Sequence, residues 1–314
     1  MDVYDIIIIG AGSAGMSAAI YAKRFGMKTL VIGKVVGGLL NDSHNVENYP
    51  GFPSIPGFDL MMRFKEHVES LSIPIKEEWV ETVTKNDDGT FSVKTEKERY
   101  TAKTILIATG TKHRHLGVPG EERLAGKGVS YCATCDAAFF KGKDVAIVGG
   151  GDSAAQAANL LAQHASHVYV IVRKDHMRAE PLNRERLEQN EKVDILYETK
   201  VVEVLGENSV EKIKLTKPFK GSDELAVQGF FVEIGADVQS ELAKPLGVER
   251  NERGEIIIDA ESRTNVEGVY AAGDVGNRKF KQAITGAAEG CIAAFSAYDY
   301  LQRKEHGREA RFGY

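Results

Sequence analysis

The sequence is short of cysteine, of long apolar runs and of surplus positive charge. Three cysteines in 314 residues cannot build a disulfide scaffold. No apolar run approaches the roughly 18 residues that a membrane helix needs. The start, "MDVYDIIIIG", has no positively charged flank and reads as a buried strand, not a signal peptide. Lysine and arginine number 40 against 45 acids, a formal net charge of -5. That balance argues against nucleic acid or an anionic membrane surface as the main partner. What is present is a chain with 43% hydrophobic residues. At about 150 residues per domain, that length suggests two domains with sizeable cores. The expectation is a soluble cytoplasmic protein, where a close cysteine pair is catalytic or metal-binding sooner than structural.

An internal repeat carries the fold prediction. "DIIIIGAGSAGMSAAIYAKRFGMKTLVIGK" begins at Asp5, and "DVAIVGGGDSAAQAANLLAQHASHVYVIVRK" at Asp144. Overlaid without a gap, Gly10 falls on Gly149, Gly12 on Gly151 and Gly15 on Ala154. Each copy holds an apolar strand, a glycine turn, an alanine-rich helix and a second strand. These are two βαβ units, and so two doubly wound α/β domains. Residues 91–110 read as strands closed by Ala108, Thr109 and Gly110, and 201–206 with 213–235 as hairpin-like strands. Near the C-terminus "QAITGAAEGCIAAFSAYDYLQRK" reads as a helix, and "EHGREARFGY" as a loosely ordered tail.

The glycines have separate tasks. Gly10 allows the tight turn, Gly12 lets backbone approach a pyrophosphate, and Gly15 lets helix and strand pack closely. Ser13 and Ala14 open the first helix, and Asp152 and Ser153 the second. The free N–H groups of each helix start then face the phosphates. Neither copy ends its second strand in the acid that bonds a ribose 2′-hydroxyl; the position is Gly33 in one and Val172 in the other. The second copy continues "RKDHMR", with Arg173, Lys174 and Arg178. A missing acid beside a basic cluster suits a 2′-phosphate, so NADPH over NADH.

The stretch "YCATCDAAFF" holds Cys132, Cys135 and Asp136. A zinc site would need two more ligands. The remaining cysteine, Cys291, is far along the chain, and His113 and His115 lack the usual spacing. A redox pair is expected, with Asp136 holding a proton or capping the following turn. Cys291 reads as a small buried hydrophobe. A nicotinamide carries a hydride, whereas a disulfide needs an electron pair delivered to sulfur. A flavin mediates between the two, so two dinucleotide loops and a CxxC suggest FAD in one and NADPH in the other.

From residue 3 to about 303 the chain resembles the low-molecular-weight thioredoxin reductases of the bacterial and archaeal type. The markers are "GAGSAGMSAAIYAKR", "VENYPGF", "ATG", "GKGVSYCATCDAAFF", "GGGDSA", "VRKDHMRAE", "VYAAGDV" and "KQAITGAAEGCIAA". The resemblance implies two Rossmann-like three-layer nucleotide-binding domains, the second inserted into the first. FAD would take residues 1–113 and 244–314; NADPH and the CxxC would take 114–243. It implies flavin contacts from Gly37, Gly38, Leu39, Asn48, Gly273, Asp274, Val275, Lys281, Gln282 and Ala283. NADPH would meet Gly149, Gly151, Asp152, Ser153 and the basic cluster. Cys135 would face the flavin, Cys132 would attack the disulfide of thioredoxin or a thioredoxin-like protein, and Asp136 would be the acid–base. Rotation of the inserted domain about links near 111–115 and 233–239 is also implied, as is a homodimer. Several positions depart from the pattern: Leu39 stands where an amide is common, the usual proline after "VEIG" is absent with Asp237 near it, and the basic motif reads Val172, Arg173, Lys174 where His-Arg-Arg is common. Lysine for arginine at 174 weakens bidentate phosphate recognition and keeps another donor, a deazaflavin or ferredoxin, in view. The same residues also suit a different protein disulfide as substrate, or a flavin-bound redox sensor.

Overall fold

The computed structural model describes residues 3–43 and 45–307; residues 308–314 of the predicted tail lie outside these. The chain divides into two compact units. One comprises Met1–Lys112 and Val238–Tyr314, the other His113–Asp237. The second of these boundaries falls some residues earlier than the 243/244 expected from the sequence.

The first unit opens with β1 (Val3–Ile9), α1 (Ser13–Arg24) and β2 (Thr29–Ile32), the predicted βαβ repeat. There follow α2 (Gly57–Ser70), β3 (Ile75–Lys76), β4 (Val80–Lys85), β5 (Phe91–Thr95) and β6 (Arg99–Ile107). The sheet runs β3-β2-β1-β6-β5-β4, parallel from β3 to β6 and antiparallel beyond. The isoleucine run explains its centre. Side chains alternate across a strand, so Ile6 and Ile8 enter one core with Met16, Leu60 and Ala293. Ile7 and Ile9 enter the other with Val83, Phe91 and Ile256. All four are essentially inaccessible to solvent. Each such burial contributes about 1.5–3 kcal/mol of transfer free energy, and a strand covered on both faces has no need of polar alternation.

The chain leaves through β7 (Thr111–His113). The second unit then forms β8 (Val129–Ser130), the single turn α3 (Ala133–Asp136), β9 (Asp144–Val148), α4 (Asp152–His164), β10 (His167–Ile171), α5 (Pro181–Glu188) and β11 (Val193–Leu196). An antiparallel sheet of β12 (Val201–Leu205), β13 (Lys212–Phe219) and β14 (Ser222–Ala226) comes next. β15 (Gly229–Val232) follows, and the parallel sheet reads β11-β10-β9-β15-β8. The expected hairpins therefore hold for β12–β14 but not for "GFFV". That stretch is buried at every residue and enters the parallel sheet between β8 and β9. A continuously apolar strand belongs where both faces are covered. The helices α4 and α5 cover one face through Val145 and Ile147, and the antiparallel sheet lies over the other through Ala146 and Val148.

The return passes through β16 (Ala236–Val238), which pairs with β7. The first unit is then completed by β17 (Val269–Ala271), parallel to β6, and the long helix α6 (Ala283–His306). α6 and α1 cross closely, because a Cβ on Gly290 would overlap the Ala14 carbonyl oxygen. Cys291 beside it is half-buried, not fully enclosed as the sequence suggested, and lines a cavity of about 470 Å³ with Tyr49 and Phe64. Burial pushes its thiol pKa up to about 11.

Candidate active site

In the first unit, three glycine turns meet at the start of α1. Gly10 has φ +118°, a conformation that favours glycine, and a Cβ there would overlap the Ala108 carbonyl oxygen. A Cβ on Gly15 would overlap the Gly10 oxygen. These two glycines are demanded by packing. Gly12 is not: the nearest atom to an added Cβ is the Gly37 oxygen, 4.0 Å away. Its φ of -86° suits any residue, and among the described residues no side chain caps α1. The fold leaves the space free and the N–H groups of the helix start uncapped, which is what an approaching phosphate requires. Gly38 lies opposite, where an added Cβ would be 3.9 Å from the Gly12 Cα. On a third side, a Cβ on Gly286 would be 3.4 Å from Ser13 Oγ and 3.5 Å from the Gly273 Cα.

The surrounding groups hold this cradle together. Gly37 donates its N–H to the Ala11 oxygen at 2.8 Å and starts a 3-10 turn carrying Leu39, which is half-buried. Asn41 Nδ2 donates to the Val36 oxygen, while its buried Oδ1 has no partner among the described residues. Asn48 Nδ2 donates to Gln282 Oε1 at 3.2 Å, and Gln282 forms a capping box with Thr285 at the start of α6, just before Ala283. Gln282 is thus engaged with protein before any ligand arrives. Lys281 Nζ bonds Glu255 at 2.6 Å and the Asp274 carbonyl at 2.9 Å. Burial opposes ionisation of Glu255, but hydrogen bonds from Lys281 and Asn251 outweigh it and hold its carboxyl below the usual range. Burial raises the Asp274 carboxyl, with Lys281 acting against it. Val275 is wholly buried in the core beneath the sheet. Thr109 Oγ1 donates to the Gln239 oxygen, and Gln239 N–H to the Gly110 oxygen, so the "ATG" turn is pinned to the returning chain.

Sequence reasoning missed Glu289. Its carboxylate accepts the Gly273 N–H at 2.8 Å and lies 3.6 Å from Arg278 Nε, fixing the turn that presents Asp274. Burial raises its pKa, partly offset by that N–H and by Arg278. An acid alone in the small-residue run "GAAEGC" was the available signal.

The second unit repeats the glycine logic with different surroundings. Among the described residues, an added Cβ on Gly151 meets nothing within 4 Å, and no side chain caps α4. Gly149 is required by packing, since its Cβ would overlap the Glu233 oxygen and lie 2.7 Å from the Ala154 Cβ. Ser153 is exposed, as are Arg173, Lys174 and Arg178. The Arg178 N–H donates to the Gly150 oxygen at 2.6 Å, which lays the basic loop against the glycine turn. The carboxylate of Asp152 bridges the first turn of α4 and the chain leading into α5. It accepts from Glu180 N–H (3.1 Å), Asn183 Nδ2 (2.8 Å) and Gln156 Nε2 (3.2 Å).

Cys132 and Cys135 form a disulfide with Cα atoms 5.3 Å apart. Cys135 is exposed and Cys132 half-buried. Cys132 Sγ accepts the Cys135 N–H at 3.1 Å, so sulfur caps the short turn α3. Ser130 Oγ accepts the Cys132 N–H at 3.1 Å. Asp136 precedes a 3-10 turn and makes no side-chain cap there, so its alternative structural duty falls away. Upstream, the buried Glu121 accepts N–H groups from Leu116 (2.9 Å) and Gly117 (2.5 Å) and the hydroxyl of Tyr131 (3.0 Å), the residue before Cys132.

Residues 4–290 match the family described as pyridine nucleotide-disulphide oxidoreductase. The chain is 39% identical to the thioredoxin reductase of Bacillus subtilis over 303 residues, 96% of this chain and 95% of that one. It is similar to a crystal structure of Lactococcus lactis thioredoxin reductase, with TM-score 0.91 and 36% identity over 95% of this chain and 99% of that one. A ferredoxin-flavin thioredoxin reductase from Clostridium acetobutylicum is 34% identical, with TM-score 0.54, over 97% of this chain and 99% of that one. A disulfide-bonded CxxC, two open glycine turns at helix starts and these likenesses across nearly the whole length agree: the chain belongs to the pyridine nucleotide-disulphide oxidoreductases, and within them to the low-molecular-weight thioredoxin reductases.

Proposed function

We propose that this flavoprotein moves electrons from NADPH through FAD and the Cys132–Cys135 pair to the disulfide of thioredoxin or a thioredoxin-like protein. The observation that carries the reading is Gly12 with Gly151. The fold requires glycine at neither position, yet each leaves an uncapped helix start open. FAD would be held in the first unit by the turns at Gly10–Gly15, Gly37–Gly38 and Gly273–Asp274, and NADPH in the second by Gly151 and the loop of Arg173, Lys174 and Arg178. FAD, when bound, supplies a carrier that takes a hydride from nicotinamide and passes an electron pair to a disulfide.

The chain's own sulfurs do the rest. With the pair reduced, the Cys132 thiolate attacks one sulfur of the thioredoxin disulfide and the other leaves as thiolate. The Cys135 thiolate then attacks Cys132 Sγ. This restores the Cys132–Cys135 bond and releases reduced thioredoxin. Asp136, with no capping duty, is positioned in sequence to carry the proton that the second thioredoxin sulfur takes up. The reading includes a homodimer in the cytoplasm and rotation of the inserted unit between half-reactions, about the connections at 111–113 and 236–238.

A second reading keeps FAD and the cysteines but replaces NADPH with another reductant. The likeness to the Clostridium acetobutylicum structure and lysine at position 174 favour it. Anaerobic reduction of the yellow protein separates the two. Bleaching by NADPH within seconds is expected; bleaching by dithionite or ferredoxin but not by NADPH or NADH overturns the NADPH assignment. Cys132→Ser and Cys135→Ser should each abolish thioredoxin reduction and leave bleaching by NADPH intact. Loss of bleaching in both would make the cysteines structural.

A further inference from the structure

Asp152 presents a contradiction. It is the first residue of α4, where the helix dipole favours an acid, yet that same helix start is open to an anionic ligand, which a carboxylate repels. Its bonding resolves the conflict. Oδ1 accepts from Glu180 N–H and Asn183 Nδ2, and Oδ2 from Gln156 Nε2. Asn183, buried on α5, is 6% exposed, and its carbonyl accepts from Asn159 Nδ2 at 3.1 Å, so the tie reaches the half-buried Asn159 on α4. Glu180 immediately precedes α5 and makes no side-chain cap of its own. One carboxylate therefore links the starts of α4 and α5. Between these points lies the basic loop, whose other tie is Arg178 N–H to the Gly150 oxygen.

We propose that Asp152 is a positioning residue for nucleotide selection: it fixes the 173–180 loop against the glycine turn, so that Arg178 is held beside the open start of α4, and it acts through that loop without touching the ligand. The inference rests on the reading that the inserted unit binds NADPH. Exposed, long arginine side chains have little intrinsic order. Discrimination of a 2′-phosphate by Arg178 depends on a fixed backbone beneath it, and that backbone is fixed at two places on either side of a glycine. The negative charge of Asp152 opposes nucleotide binding; its oxygen as an acceptor supports it. The substitution Asp152→Asn separates charge from acceptor, because the amide oxygen would still accept from Glu180 and Asn183.

The test measures NADPH and NADH kinetics of flavin reduction in the full-length holoprotein for Asp152→Ala, Asp152→Asn, Arg178→Ala and the Asp152→Ala/Arg178→Ala double variant. Asp152→Ala should raise the KM for NADPH about tenfold with kcat little changed, and draw the NADPH-to-NADH preference toward unity. Asp152→Asn should retain the preference with an unchanged or lower KM. Arg178→Ala should add little on top of Asp152→Ala, since the two act in series. Full preference in Asp152→Ala, independent multiplication of the two effects, or loss of preference in Asp152→Asn as complete as in the alanine variant overturns the proposal. If the wild type is reduced by neither nucleotide, the NADPH reading itself fails and takes the inference with it. A wild type that prefers NADPH beside an Asp152→Ala variant that prefers it equally sinks the inference alone.

Discussion

The two βαβ repeats share a strand, a glycine turn and a helix, yet differ in what is docked against the turn. In the first, the start of α1 faces further glycine turns at Gly37–Gly38, pinned to the Ala11 oxygen, and at Gly273–Asp274, pinned by Glu289 and Lys281. In the second, the start of α4 faces an exposed loop with three basic side chains. The ends of the second strands differ accordingly. An added Cβ on Gly33 would lie 2.7 Å from the Ala11 N, so the first copy has no room for the ribose-binding acid. The second copy fills the position with Val172, buried in the core with α4. A common scaffold thus supplies the phosphate-facing N–H groups, and neighbouring turns choose the ligand.

The comparison can be broken at its packing glycines first. Gly15→Val should destabilise the first unit by more than about 4 kcal/mol, because its side chain would overlap backbone at Gly10. The counterpart change, Ala154→Gly, should cost only about 1 kcal/mol. Thermal unfolding of both variants decides; equal losses would mean that the close contact at Gly15 does not set the first repeat apart. Next come the open glycines. Gly12→Leu should leave folding intact and prevent flavin retention, whereas Gly151→Leu should keep the yellow colour and weaken NADPH binding on the order of a hundredfold. Absorbance and anaerobic titration read both. The smallest effect is at the basic loop, where Arg173→Ala with Arg178→Ala should raise the KM for NADPH roughly tenfold and barely change that for NADH. An equal rise for the two nucleotides would remove the distinction between the loops' surroundings.

Much of the architecture was legible in the sequence. The isoleucine run, the repeated glycines and the CxxC are local signals, and each produced the element read from it. Hydrogen bonds between distant residues were not legible. Nothing in "GGGDSA" says that Asp152 bonds residues 28 and 31 positions on, nor that Asn48 would meet Gln282, 234 positions away. The strand "GFFV" was misjudged because an apolar run of four does not reveal its neighbours. Gly12 and Gly15 looked equivalent as letters, and only the distances around them separate the glycine that packing demands from the one it does not.

The insertion has a consequence for synthesis on the ribosome. The first unit cannot close its sheet against β17, or cover it with α6, until the chain beyond Val269 has emerged. All strands of the inserted parallel sheet have been made by Val232. Its two ends leave through paired strands, so it reaches the surrounding unit as a loop already closed, and the ordering entropy of more than a hundred intervening residues is met within the insert itself. The unit that begins second can finish folding first, while the isoleucine strand made at the outset waits for the last helix to arrive.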